Sequence, residues 1–144
     1  MRAVVDTNVI VSAVLIPRGN ERRILDLWRQ GTFDLVVSPP LLEELGRVFS
    51  YPKIRRARWM TDAEIVELLE LIAAESVMVE GGVNVKASRD PSDDIFLAAA
   101  IESEADYIVS GDSDLLALKA YRSIPILRPA AFLAVVSRLR RGDS

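Results

Sequence analysis

The chain of 144 residues contains no cysteine and no histidine. The first absence excludes disulfides, thiolate metal centres and cysteine nucleophiles. The second removes serine–histidine hydrolases, imidazole general bases and zinc sites built on imidazole. No apolar run reaches the roughly 18 residues that a transmembrane helix needs. The N-terminal stretch MRAVVDTNVIVSAVLIP is mostly apolar, but Asp6 and Asn8 interrupt it and no small-residue cleavage site follows. A signal peptide is therefore not expected, no membrane association is foreseen and a cytoplasmic location is.

What remains for chemistry is carboxylates, hydroxyls, amides, lysine and arginine. Oxygen ligands of this kind select hard cations such as Mg²⁺ or Mn²⁺ over soft metals. Half of the chain is hydrophobic and 27% is charged, the composition of an ordinary globular domain. The length suits one domain over residues 1–144, with no repeat or interdomain linker. The formal net charge of −3 does not favour a nucleic-acid partner, although two divalent ions would bring it to +1.

Short apolar segments alternate with helical ones. Strands are expected at Arg2–Val5, 33–38, Val77–Val79, Tyr107–Val109 and 124–127. Glu21–Arg29 places Ile24, Leu25 and Trp28 on one helical face, with Gly31 set to stop it. Ser38-Pro39-Pro40 opens a helix carrying Leu41, Leu45 and Phe49. Thr61 and Glu64 have the spacing of a capping box, and Gly81-Gly82 breaks the chain after the third strand. Ser92 is placed to cap a helix from about Asp93 to Glu104, Asp112–Lys119 suits a short helix, and Ala130–Arg140 closes the chain. This alternation predicts an α/β fold with a mostly parallel sheet of about five strands, buried on both faces.

In such sheets ligands sit beyond the carboxyl ends of the strands. Asp6 ends the first strand, and Asp112 follows the strand YIV through Ser110-Gly111, with Asp114 just beyond. Glu43 and Glu44 lie early in the helix after the second strand, and Asp90, Asp93 and Asp94 precede the apolar run IFLAAAI. Helix-dipole stabilisation accounts equally well for any one of the helix-start acids, and Asp112 and Asp114 read alone are ordinary turn residues. Asp6, between a buried strand and another apolar run, is harder to explain as decoration. Acids converging at one edge raise one another's pKa unless a cation is present, and a divalent metal there would polarise a phosphoryl oxygen.

Three basic groups are candidates for phosphate contacts: PKIRRARW at 52–59, RLRRG at 138–142, and Arg18 with Arg22 and Arg23. For each group alone a solvated surface is the simpler reading. The closing helix carries AAFLAVVSRL, which suits either a core element or a dimer face.

Four segments together resemble the PIN-domain family: VVDTNVIVSA at 4–13, SPPLLEELGRVF at 38–49, RDPSDDIFLAAA at 89–100 and ADYIVSGDSDLLAL at 105–118. Their order and spacing are similar to those of bacterial and archaeal PIN toxins of toxin–antitoxin pairs, in the broad group of the VapC ribonucleases. The resemblance implies a three-layer α/β/α domain and an Mg²⁺- or Mn²⁺-dependent endoribonuclease, with an RNA substrate, a cognate antitoxin and a homodimer. By position it implies the metal ligands Asp6, Glu44 (which precedes Leu45), one of Asp93 and Asp94, and Asp112. Counting back from Ser110-Gly111-Asp112 selects Asp94, whereas the DPxD pattern selects Asp93. Thr7 and Asn8 would shape the first turn, Ser110 stands where the family usually has threonine, and Asp114 would act from an outer position. A structure-specific DNA nuclease with the same acids and a non-catalytic binding domain are the alternatives. A receiver domain and a dehalogenase-like phosphatase fit poorly, because Asn8 stands where the latter needs a second aspartate.

Overall fold

Strands Arg2–Val5 (β1) and Asp34–Val37 (β2) each begin on an exposed residue and continue through buried ones. The computed structural model describes residues 1–81 and 91–140, with the side chains of 91–93 and 140 left aside. The remaining strands are Val77–Met78 (β3), Tyr107–Val109 (β4), Ala120–Tyr121 (β5) and Ile124–Leu127 (β6). They form one sheet in the order β3-β2-β1-β4-β6-β5, parallel throughout except for the β5–β6 pair. The central register sets Val4 beside Val36 and Ile108.

The period of two along each strand sorts the core into two halves. Ala3, Val5, Leu35, Val37 and Val109 face one side, where they join residues of α1 (Thr7–Leu15), α2 (Asn20–Arg29), α3 (Pro39–Phe49), α5 (Asp62–Glu75) and α8 (Pro129–Arg140). Val4, Val36, Ile108 and Ile126 face the other, against α6 (Pro91–Ser103) and Leu115 of α7 (Ser113–Ala117). Helices on both faces make the three-layer α/β/α arrangement expected from the sequence. Phe132 is fully buried and meets the Phe33 and Tyr107 rings edge-on at 5.1 and 6.1 Å between centroids. The apolar face of α8, through Phe132, Leu133 and Val136, is therefore part of the core.

Local signals set several boundaries. Gly31, at φ +79°, donates to the Trp28 carbonyl while Thr32 donates to Leu27, the paired bonds of a Schellman stop for α2. The Ser38 side chain accepts from the Leu41 amide at the start of α3, with proline in the first turn. Thr61 and Glu64 form the complete capping box of α5.

Four details differ from expectation. Residues 7–15 form α1, and Pro52–Ala57 form a short α4 where only a basic cluster was foreseen. Helix α6 begins at Pro91, so Ser92 lies inside its first turn rather than before it, consistent with proline's fixed φ at a helix start. A sixth strand, β5, folds back on β6 through Arg122 and Ser123, whose φ angles are +46° and +71°. Asp90, Gly82 and Arg141 lie outside the described residues. Among the described residues no helix is long and apolar enough to cross a membrane.

Candidate active site

The carboxyl ends of β1 and β4 lie side by side, because Val5 pairs with Val109 and the Asp6 amide donates to the Val109 carbonyl at 2.8 Å. The residues that leave the sheet next are Asp6 and Ser110, and both are buried. The Ser110 hydroxyl donates to Asp6 Oδ2 at 2.7 Å and accepts from the Asp112 amide at 3.0 Å. Asp6 Oδ1 accepts from the Asn8 amide at 3.0 Å, which makes Asp6 the N-cap of α1. One carboxylate thus closes the strand, starts the helix and faces the sheet edge.

Burial pushes the Asp6 carboxyl above the ordinary aspartate value of 3.8; the Ser110 hydroxyl and the Asn8 amide pull it back, and the negative charge of Asp112 pushes it up again. Asp112 is half-buried and caps α7, accepting from the Asp114 amide at 2.7 Å and the Leu115 amide at 3.4 Å. Asp114 itself is exposed, as is the Asn8 side chain.

Helix α3 brings the next acid. The Thr7 hydroxyl donates to Glu44 Oε2 at 3.2 Å, tying α3 to the first turn of α1 beside Asp6. Glu43, about 100° round the helix, is exposed. Of the two, Glu44 is the acid tied to the first turn of α1. Asp94 is half-buried on α6, whereas the Asp93 side chain lies outside the description, so the choice between them stays where the sequence left it. Among the described residues no three acids converge closely enough to form a ready metal-binding group. What converges is Asp6, Ser110 and Asp112, with Glu44 reached through Thr7.

The donor set still fits a hard divalent cation. All side-chain donors are oxygens, and Asp6 combines near-complete burial with a like-charged neighbour, a pairing that a bound cation would relieve.

Sequence reasoning did not anticipate the Thr7–Glu44 bond. A threonine directly after an N-cap aspartate is a weak signal of it, because its meaning depends on which helix packs against α1. It also missed Glu102, whose carboxylate accepts from the Glu80 amide at 3.1 Å and the Gly81 amide at 3.0 Å. That clasp fixes the exit of β3 against α6, and Gly81 also meets the start of α3, where a Cβ would stand 3.1 Å from Pro40.

Comparison with known proteins bears on the family and the fold. The pattern of the PIN domain family matches residues 2–114. An uncharacterized protein of Methanocaldococcus jannaschii, MJ1680, is 34% identical over 119 residues, covering 83% of this chain and 76% of its own. The crystal structure of VapBC2 from Rickettsia felis, bound to a DNA fragment from their promoter, superposes with a TM-score of 0.56 at 15% identity, covering 88% of this chain and 97% of that one. At that identity the likeness is one of fold.

Proposed function

Because the chain belongs to the PIN-domain family, we propose that it is a divalent-metal-dependent endoribonuclease and that residues 1–144 act as one nuclease unit. The observation that carries this reading is Asp6: a buried carboxylate at the strand end, held by Ser110 and Asn8, with the charge of Asp112 close enough to raise its pKa. A carboxylate in that position is costly to the fold, and a site for a cation accounts for the cost.

Asp6, Glu44, Asp112 and one of Asp93 and Asp94 would hold Mg²⁺ or Mn²⁺. When bound, the ion supplies charge stabilisation at the phosphoryl group and a lowered pKa for water at the site. The chain's own residues do the positioning. Ser110 and Asn8 fix both oxygens of Asp6, so its orientation does not depend on the ligand. Thr7 holds Glu44 toward the same edge. The exposed Asn8 side chain and Asp114 stand at the rim, where they would contact substrate or ordered water. With no histidine in the chain, a 2′-hydroxyl mechanism of the imidazole type lacks its acid and base.

The biological reading follows the VapC-like resemblance: a cytoplasmic toxin that pairs with itself and is restrained by an antitoxin protein. The test is incubation of the full chain with labelled single-stranded RNA, structured RNA and DNA, each with Mg²⁺, Mn²⁺ or EDTA. Metal-dependent cutting of RNA in preference to DNA is expected. Preferential cutting of DNA would replace the substrate, and metal-independent cutting would overturn the site assignment.

A further inference from the structure

Apart from the acidic edge, α4 and the start of α5 border an open groove of about 510 Å³ whose lining includes Arg55, Arg56, Arg58, Thr61 and Asp62. Residues 53–58 hold Lys53 and these arginines with no acid among them, in a chain of net charge −3. Among the described residues the carboxylate that pairs with them is Asp62, with Arg55 at 3.4 Å and, more closely, with Arg58. Arg58 is pinned, its side chain only 7% exposed, while Arg55 and Arg56 are open to solvent. Against one carboxylate the three guanidiniums leave an excess of positive charge at the groove.

In sequence Trp59 lies between Arg58 and Met60, both of which line this groove. Its indole N–H donates to the Ala13 carbonyl at 3.3 Å, and the Arg22 guanidinium lies 4.4 Å from the ring centroid. The ring is thus held rigidly, yet 39% of the residue's surface is exposed. A fixed, partly bare aromatic beside arginines is the combination that grips unpaired nucleic acid, through backbone phosphates and a stacked base. The anchor on Ala13 also measures the reach. Ala13 lies seven positions beyond Asp6, along α1, a rise of roughly 10 Å, which about three stacked nucleotides would span.

We propose that the α4–α5 groove, with Arg55, Arg56 and Trp59, is a second anchoring site for single-stranded RNA, holding the strand a few nucleotides from the bond cut at Asp6. This rests on the nuclease reading for the choice of RNA. A phosphate entering the groove competes with Asp62 for Arg55, so Asp62 acts as a counterweight that limits affinity.

The test measures binding of a labelled, unstructured 15-nucleotide RNA to the full chain in EDTA, across a salt series. Compared are wild type, the double variant Arg55→Ala with Arg56→Ala, Trp59→Leu and Asp62→Asn, each checked for an unchanged circular-dichroism spectrum. The double variant is expected to weaken binding roughly tenfold and to flatten the salt slope by about 1 to 1.5, the loss of two single-strand phosphate contacts. Trp59→Leu should weaken binding with little change of slope. Asp62→Asn should tighten it severalfold, the opposite sign. An unchanged affinity and slope in the double variant overturns the inference, as does tighter binding of wild type to a duplex DNA of the same length. Cleavage assayed separately keeps the two readings apart. Arginine-dependent binding without metal-dependent cutting leaves the groove standing and the nuclease fallen; cutting with a KM indifferent to Arg55 and Arg56 does the reverse.

Discussion

Replacing Ser110 by alanine removes one oxygen from the centre of the site. That hydroxyl is fully buried, donates to Asp6 at 2.7 Å and accepts from the Asp112 amide at 3.0 Å. A hydrogen bond to a charged group contributes about 1.5–3 kcal/mol, and a buried acceptor left without its donor keeps the full desolvation cost. The Asp112 amide lies at a half-buried residue where water replaces part of its partner. The expected loss is therefore about 2–3 kcal/mol at neutral pH. It should shrink in acid, because the Ser110 bond favours the ionised form of Asp6 and protonation removes the charge that needs it. Urea denaturation in EDTA at pH 7.5 and pH 4.5, for Ser110→Ala, Asp6→Asn and the double variant, measures both the loss and its coupling to Asp6. A cost below about 0.5 kcal/mol, well under that of a charged hydrogen bond, would refute the reasoning, as would a cost equally large in the Asp6→Asn background. Metal-dependent activity should fall about 10–100-fold, the usual effect of removing a partner that orients a ligand.

Other outcomes follow from the same contacts. The raised pKa of Asp6 means the folded chain binds more protons than the unfolded one just above pH 3.8, so metal-free stability should fall as pH rises from there; Asp6→Asn should flatten that part of the profile. Thr7→Val removes one hydrogen bond that orients Glu44 and should lower activity roughly tenfold at near-constant RNA affinity, measured by single-turnover cleavage. Phe132→Ala opens a cavity between Phe33 and Tyr107 and should cost about 3–5 kcal/mol in urea denaturation. Thr61→Ala breaks the capping box of α5 and should cost about 0.5–2 kcal/mol while leaving the acidic edge untouched.

The parts of the fold legible in the sequence were those with local chemistry. Gly31 stops α2 and Thr61–Glu64 caps α5 through groups a few residues apart, so their spacing alone announces them. Helix α1 carried only a faint announcement: Val9, Ile10, Val11, Ala13 and Val14 are all buried, and Asn8 and Ser12, one turn apart, make too narrow a polar stripe to reveal a helical period. Helix α4 failed for the converse reason, since none of its residues is buried. The β5–β6 turn was hidden because Arg122 and Ser123 take the positive φ angles that Asn-Gly usually marks. At the site, the convergence of Asp6 and Asp112 followed from strand order in a parallel sheet. The bonds that hold it, Ser110 to Asp6 and Thr7 to Glu44, join residues 104 and 37 positions apart and depend on tertiary packing.

In the proposed function Asp6 serves a metal-dependent cut rather than the fold. The most direct test of that role is cleavage of labelled RNA by wild type and Asp6→Asn in parallel with Mn²⁺, after urea denaturation in EDTA shows both folded. Asp6→Asn should be at least as stable as wild type and cut no RNA. An Asp6→Asn protein that cuts at the wild-type rate, or a wild type that neither cuts RNA nor is stabilised by Mn²⁺, would contradict that role.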